Sequence, residues 1–75
     1  MTSLNQLKIG QKAVITSFAN EKLSSILIEM GCLPGEVVTL SKIAPLGCPI
    51  AINVAGSELS LRKNEAAAVI IELIA

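Results

Sequence analysis

The 75-residue chain has no histidine, no aspartate, no tryptophan and no tyrosine, and Phe18 is its only aromatic residue. Each absence removes a class of function. Without histidine there is no Ser-His or Cys-His nucleophile, and without aspartate no such carboxylate to orient one. The six acidic residues are all glutamates: Glu21, Glu29, Glu36, Glu58, Glu65 and Glu72. They stand singly between polar and turn positions, not in the converging pair that acid-base chemistry requires. No enzymatic activity is expected.

A surface that stacks single-stranded nucleic acid needs several aromatic platforms and a basic groove. This chain offers Phe18 and six dispersed cations balanced by six anions. Zero net charge supplies no field to hold a polyphosphate, so nucleic acid is not an expected partner. The five glycines occur singly and form neither a GxGxxG run nor a phosphate-binding loop. No cofactor is expected.

Long apolar runs are missing too. The longest, Ala66 to Ile71, is interrupted by Glu72, far short of the roughly 20 residues that cross a bilayer as a helix. The opening Met1-Thr2-Ser3-Leu4-Asn5-Gln6 has neither the basic nor the apolar part of a secretory signal. These features lead to the expectation of a cytoplasmic location without direct membrane insertion.

Two cysteines, Cys32 and Cys48, lack CxxC spacing and have no histidine beside them. Free cysteine usually behaves as a small buried hydrophobe, and burial is the expectation for both. The alternative is that the two thiols converge with a glutamate or with a second subunit to hold a soft metal.

What the chain does contain is aliphatic carbon: 52% of its residues are hydrophobic and only 16% charged. That composition folds, as one domain spanning residues 1–75, and it leaves apolar surface for association. Lys12 to Phe18 is rich in β-branched residues and reads as the first strand. Asn20 can cap a helix in which Leu23, Ile26, Leu27 and Met30 recur as one apolar stripe, stopped at Gly31. Leu33-Pro34-Gly35 predicts a type II turn, with Pro at its second position and Gly at its third. A second strand follows from Glu36 to Ile43 and ends before Pro45, which cannot donate to a ladder.

Pro45-Leu46-Gly47-Cys48-Pro49 reads as a rigid loop. Ile50, Ile52 and Val54 alternate with small and polar residues, Ala55-Gly56 turns the chain, and Leu59 and Leu61 return it as a hairpin. Lys63 to Ala68 predicts one turn of helix, and Val69, Ile71 and Leu73 a last strand. Leu4 and Leu7 suggest a helical turn before Gly10. The expectation is a mainly β, small, closed or nearly closed barrel of about five strands with a short helix after the first.

Three segments, Ile28-Glu29-Met30-Gly31-Cys32-Leu33-Pro34-Gly35, Ile43-Ala44-Pro45-Leu46-Gly47-Cys48-Pro49-Ile50 and Leu59-Ser60-Leu61-Arg62-Lys63, resemble the FeoA family of ferrous iron transport proteins in order and spacing. The likeness runs over nearly the whole chain, from Leu7-Lys8-Ile9-Gly10 to the final strand. It implies an SH3-like barrel that acts in the cytoplasm as an accessory to a FeoB-type, GTP-dependent membrane transporter, peripheral to the membrane through that partner. Family members commonly carry aspartate where this chain has Cys48, a change that removes a charge and adds a thiol.

The partner-binding residues expected on this reading are Leu33, Pro34, Pro45, Leu46, Cys48, Arg62 and Lys63. Each has an ordinary structural role as well. Leu33 and Leu46 could fold back on the core, Arg62 and Lys63 could be a solvated strand end, and the prolines are above all turn formers. The rival to transporter docking is a self-associating, metal-responsive homo-oligomer joined through Cys32 and Cys48.

Overall fold

The β-branched and alternating segments of the sequence become strands in the computed structural model, which describes residues 2–74. The elements are β1 (Thr2–Ser3), a 3-10 turn (Leu4–Gln6), β2 (Lys12–Phe18), α1 (Glu21–Glu29), β3 (Val37–Ile43), β4 (Ile50–Val54), β5 (Ser57–Leu61), α2 (Lys63–Ala67) and β6 (Val69–Leu73). They form one antiparallel six-stranded sheet in the order β1-β6-β2-β3-β4-β5. The expected count of about five strands thus rises by one, because Thr2 and Ser3 pair with Ile71 and Ile70. A two-residue strand carries no periodicity for the sequence to display.

One face of the sheet supplies the core. Ala13 and Ile15 of β2, Val38 and Leu40 of β3, Ile50, Ile52 and Val54 of β4, and Val69 and Ile71 of β6 are all buried, as the two-residue period of a strand requires. Two bulges bend the sheet enough to wrap it around these side chains. In β2 the register against β6 slips between Ile15 and Ser17, leaving Thr16 as the extra residue, with its hydroxyl donating to the Ile70 carbonyl at 3.1 Å. The slip moves the inward phase from odd to even positions, so Phe18 packs against the core while Ser17 is exposed. In β3 the register against β4 also slips, between Leu40 and Lys42. Bulges of this kind raise local twist and turn the strand.

The ladder does not close between β5 and β1 in the strand order. The 3-10 turn packs against α2 and β6, with Leu4 and Ala66 fully buried, and the ladder of the barrel stays open along β5.

α1 is an excursion between β2 and β3. Asn20 accepts at its side-chain oxygen from the N–H groups of Lys22 and Leu23, at 2.9 and 3.2 Å, which satisfies two of the donors a helix start leaves free. At the other end the Cys32 N–H donates to Leu27 C=O and the Gly31 N–H to Ile28 C=O, at 2.9 and 3.0 Å, with Gly31 at φ +105. This is the Schellman arrangement, which brings the residue after the glycine against the helix three positions before its cap. Leu27 and Cys32 are accordingly both buried.

The predicted four-residue stripe needs correction. Leu27 is buried and Leu23 and Met30 pack on the core, but Ile26 is 49% exposed. A helix of nine residues resting on a curved sheet uses a narrow face, and Ile26 lies about 100° around the axis from Leu27.

Candidate functional site

Two turns carry the expected contact residues, and the sequence explains both. Leu33-Pro34-Gly35-Glu36 closes through Glu36 N–H to Leu33 C=O at 3.1 Å, with Gly35 at φ +92. That is the predicted type II turn. It is stitched to β2 by Gly35 N–H to Ile15 C=O and by Ile15 N–H to Glu36 C=O, at 2.7 and 3.0 Å.

The second turn runs from Ala44 to Gly47, whose N–H donates to Ala44 C=O at 2.7 Å. Pro45 occupies its second position and Leu46 its third, and Leu46 has no positive φ, so it is a type I turn with glycine in the favoured fourth place. Ala44 N–H donates to Pro49 C=O at 3.1 Å and closes the loop at its base. A short, doubly hydrogen-bonded loop holds its tip fixed, and the tip is Leu46, 96% exposed. The leucine does not fold back on the core. Leu33 is 42% exposed.

Strand register decides which of these residues lie together. Ile43 pairs with Ile50, and Ile50 with Leu61, so the Pro45–Pro49 loop and the Arg62-Lys63 segment leave the sheet side by side. The Lys63 N–H donates to the Cys48 sulfur at 3.3 Å and joins them. Glu65 caps the start of α2 by accepting from the Arg62 N–H at 2.8 Å. Pro45, Leu46, Cys48, Arg62 and Lys63 therefore share one end of the barrel, all exposed.

Leu33 and Pro34 do not join them. Their turn precedes Val37 at the opposite end of β3, whose seven residues separate the two turns by up to about 20 Å at the ordinary strand rise. Ile26, Ile28 and Val37, within seven residues of Leu33 in the chain, are exposed as well. At the Leu46 end, Ile43 is 43% exposed. Ile9, next to the Gly10 N–H that bonds Leu40 C=O, and Leu73, which pairs with Ala13, are also open to solvent. None of these aliphatics is among the expected contact residues; Ile26 and Leu73 follow the apolar spacing of their elements and are nevertheless exposed, Leu73 because it stands at the end of β6 beyond the buried Ile71.

The cysteines divide in the same way. Cys32 is fully buried in the core, and desolvation raises its thiol pKa above the ordinary 9.0, which suppresses the thiolate that a metal or disulfide would use. Cys48 is exposed, contrary to the expectation of burial: it sits in a loop whose strand-end position and hydrogen bond to Lys63 keep it outside the barrel. No group of three or more potential metal-binding side chains exists among the described residues. No helix among them is long and apolar enough to cross a membrane.

Three comparisons bear on this arrangement. Residues 2–73 match the sequence profile of the FeoA domain. The chain is 32% identical over 72 residues to an Fe(2+) transport protein A/Fe(2+) transporter FeoB fusion protein of Porphyromonas gingivalis, a match that covers 95% of this chain but only 8% of that protein. Among solved structures, a FeoA-like protein from Clostridium acetobutylicum superposes with a TM-score of 0.91 at 33% identity, over 100% of this chain and 92% of the other. The zinc complex of Stenotrophomonas maltophilia FeoA, an SH3 domain protein, gives 0.81 at 28% identity, over 96% and 91%. The six-stranded barrel is thus of the SH3-like type.

Proposed function

Because the chain belongs to the FeoA domain family, we propose that it serves ferrous iron transport by docking on the cytoplasmic side of a FeoB-type transporter and modulating its assembly or activity. The observation that carries this reading is the P. gingivalis fusion, in which a homologous domain and a FeoB transporter share one polypeptide. A covalent link between two domains is what selection produces when their separate forms work side by side.

The chemistry of the surface agrees. Leu46 is an aliphatic anchor held out on a rigid turn, flanked by the cations Arg62 and Lys63. An anchor fixed before contact loses little entropy on binding. The mixture of one deep apolar contact with polar neighbours is the usual anatomy of a binding hot spot. Modulation then requires that the domain bind two transporter conformations unequally, since equal affinity shifts nothing. Neither a catalytic pair nor a nucleotide loop competes with this role in the sequence. The rival built on Cys32 and Cys48 loses support, because one thiol is buried in the core and the other is exposed at the loop.

The test is a titration of isotope-labelled protein with the transporter's soluble nucleotide-binding domain and with the full transporter in detergent, in both nucleotide states. Amide shifts concentrated on Ala44–Pro49 and Arg62–Lys63 are expected. Shifts confined to the Leu33 end would reassign the docking face, and the absence of binding to either form would overturn the proposal.

A further inference from the structure

The sheet has two edges, and only one is long enough to accept another strand. β1 has two residues, whereas β5 has five. The hairpin between β4 and β5 fixes which of its main-chain groups are free. Ala55 and Gly56 both have positive φ, +51 and +83, the signature of a two-residue type I′ turn, in which the flanking pair, Val54 and Ser57, is hydrogen bonded. Hydrogen-bonded pairs then recur at Ile52-Leu59 and Ile50-Leu61 along the register. Glu58 and Ser60 consequently direct their N–H and C=O groups away from β4. Neither makes another main-chain hydrogen bond among the described residues.

Edge strands of soluble proteins are commonly protected by a proline, a bulge or a lysine. β5 has no proline, bulge or lysine, and Glu58 is its one charge: its sequence is Ser-Glu-Leu-Ser-Leu, and its ladder with β4 runs through five pairs without a shift, unlike the bulged β2-β6 and β3-β4 ladders. It presents a regular row of free donors and acceptors.

The pattern of that row fixes the register in which β5 can pair with a copy of itself. Antiparallel pairing of two β5 strands must oppose outward residues, and three registers do so. Centring on Glu58 sets two carboxylates face to face, which is unfavourable. Centring on Ser60 requires the main chain of Arg62, but its N–H is bonded to Glu65 and its C=O accepts from Ala66. Centring on Leu59 opposes each Glu58 with a Ser60, a carboxylate with a hydroxyl, and satisfies both outward residues of each strand. We propose that β5 pairs in this last register with β5 of a second copy of this chain, about a twofold axis through Leu59, to make one sheet continuous across two barrels. The contact is small, so the dimer is weak and concentration-dependent, and it needs neither metal nor thiol.

Sedimentation across the micromolar to millimolar range, with reductant and chelator present, should show a monomer-dimer equilibrium. Ser60→Pro removes the outward N–H without touching the bonds to β4, a position at which edge strands accept proline, and should leave a folded monomer. Ser60→Lys places an ammonium opposite Glu58 twice and should lower Kd about two- to thirtyfold, while Ser60→Glu should raise it by a similar factor. Should Ser60→Pro fail to fold, the two charge variants decide the question alone. A chain that stays monomeric to millimolar concentration overturns the proposal, as does a dimer indifferent to all three substitutions.

Discussion

Leu46→Asp separates folding from docking more cleanly than any other single change in this molecule. In the free protein the side chain is 96% exposed, so its removal uncovers nothing, and aspartate is at ease in a type I turn. Folding free energy should change by no more than about 0.5 kcal/mol, the range of ordinary surface substitutions. In the proposed complex with the transporter the same side chain goes from full exposure to burial. Burying a leucine is worth about 1.5–3 kcal/mol, so Leu46→Ala should weaken transporter binding roughly 10- to 150-fold, and Leu46→Asp further, because an unpartnered carboxylate would enter the contact. Urea denaturation measures the first quantity and calorimetry against the transporter's cytoplasmic domain the second. Unchanged affinity in a folded Leu46→Asp variant would refute the assignment of Leu46 as anchor. A loss of several kcal/mol in stability would refute the description of the loop as carrying a free tip.

Two further outcomes follow from the backbone and from the buried thiol. Ala55 occupies a left-handed conformation, φ +51, that costs an L-residue with a Cβ about 1–2 kcal/mol; Ala55→Asn, the preferred first residue of a type I′ turn, should raise stability by about 0.5–1 kcal/mol, seen as a higher urea midpoint at unchanged slope. Because burial raises the Cys32 pKa above 9.0, the unfolded thiol ionises first as pH rises, the unfolded state binds fewer protons, and stability should fall from about pH 9 upward by at most about 1.4 kcal/mol per pH unit. In Cys32→Ala this component of the alkaline loss should be absent, whatever the substitution does to stability at neutral pH.

Most of the architecture is written in local patterns. Asn20, Gly31, the Leu33-Pro34-Gly35 turn and Gly56 act through their own backbone preferences, and each stands where those preferences predict, whereas Ala55 adopts positive φ against its own. The features that escape are set by tertiary context. Thr16 is the extra residue of a bulge only because β6 pairs on one side of it, and Thr2–Ser3 is a strand only because Ile71 and Ile70 are there to receive it. Ile26 has the spacing of a core residue, yet nothing in the sequence says how wide a face the sheet offers α1. The average behaviour of free cysteine predicts Cys48 inside, whereas its place in the loop and its bond to the Lys63 N–H put it outside. At the candidate site the individual turns were legible, but their distribution over opposite ends of β3 follows from register, which a single sequence does not state.

The pairing of Thr2 with Ile71 has a consequence for any tether. It sets the first and last strands of the barrel side by side, so a linker running into Thr2 and one running out of β6 meet the barrel at the same end of the sheet. That end is also the one from which the Leu46 turn leaves β3, since β6 and β3 both run antiparallel to β2, whereas the Ala55-Gly56 hairpin lies at the opposite end. A domain leashed in this way to its partner meets it at an effective concentration of roughly millimolar for a short flexible linker. A contact too weak to persist between separate chains would then be occupied most of the time. Circular permutants that join the present ends through a few glycines and open the chain at Gly56 should retain the barrel, since the covalent order of its strands would change while every ladder partner stays in reach.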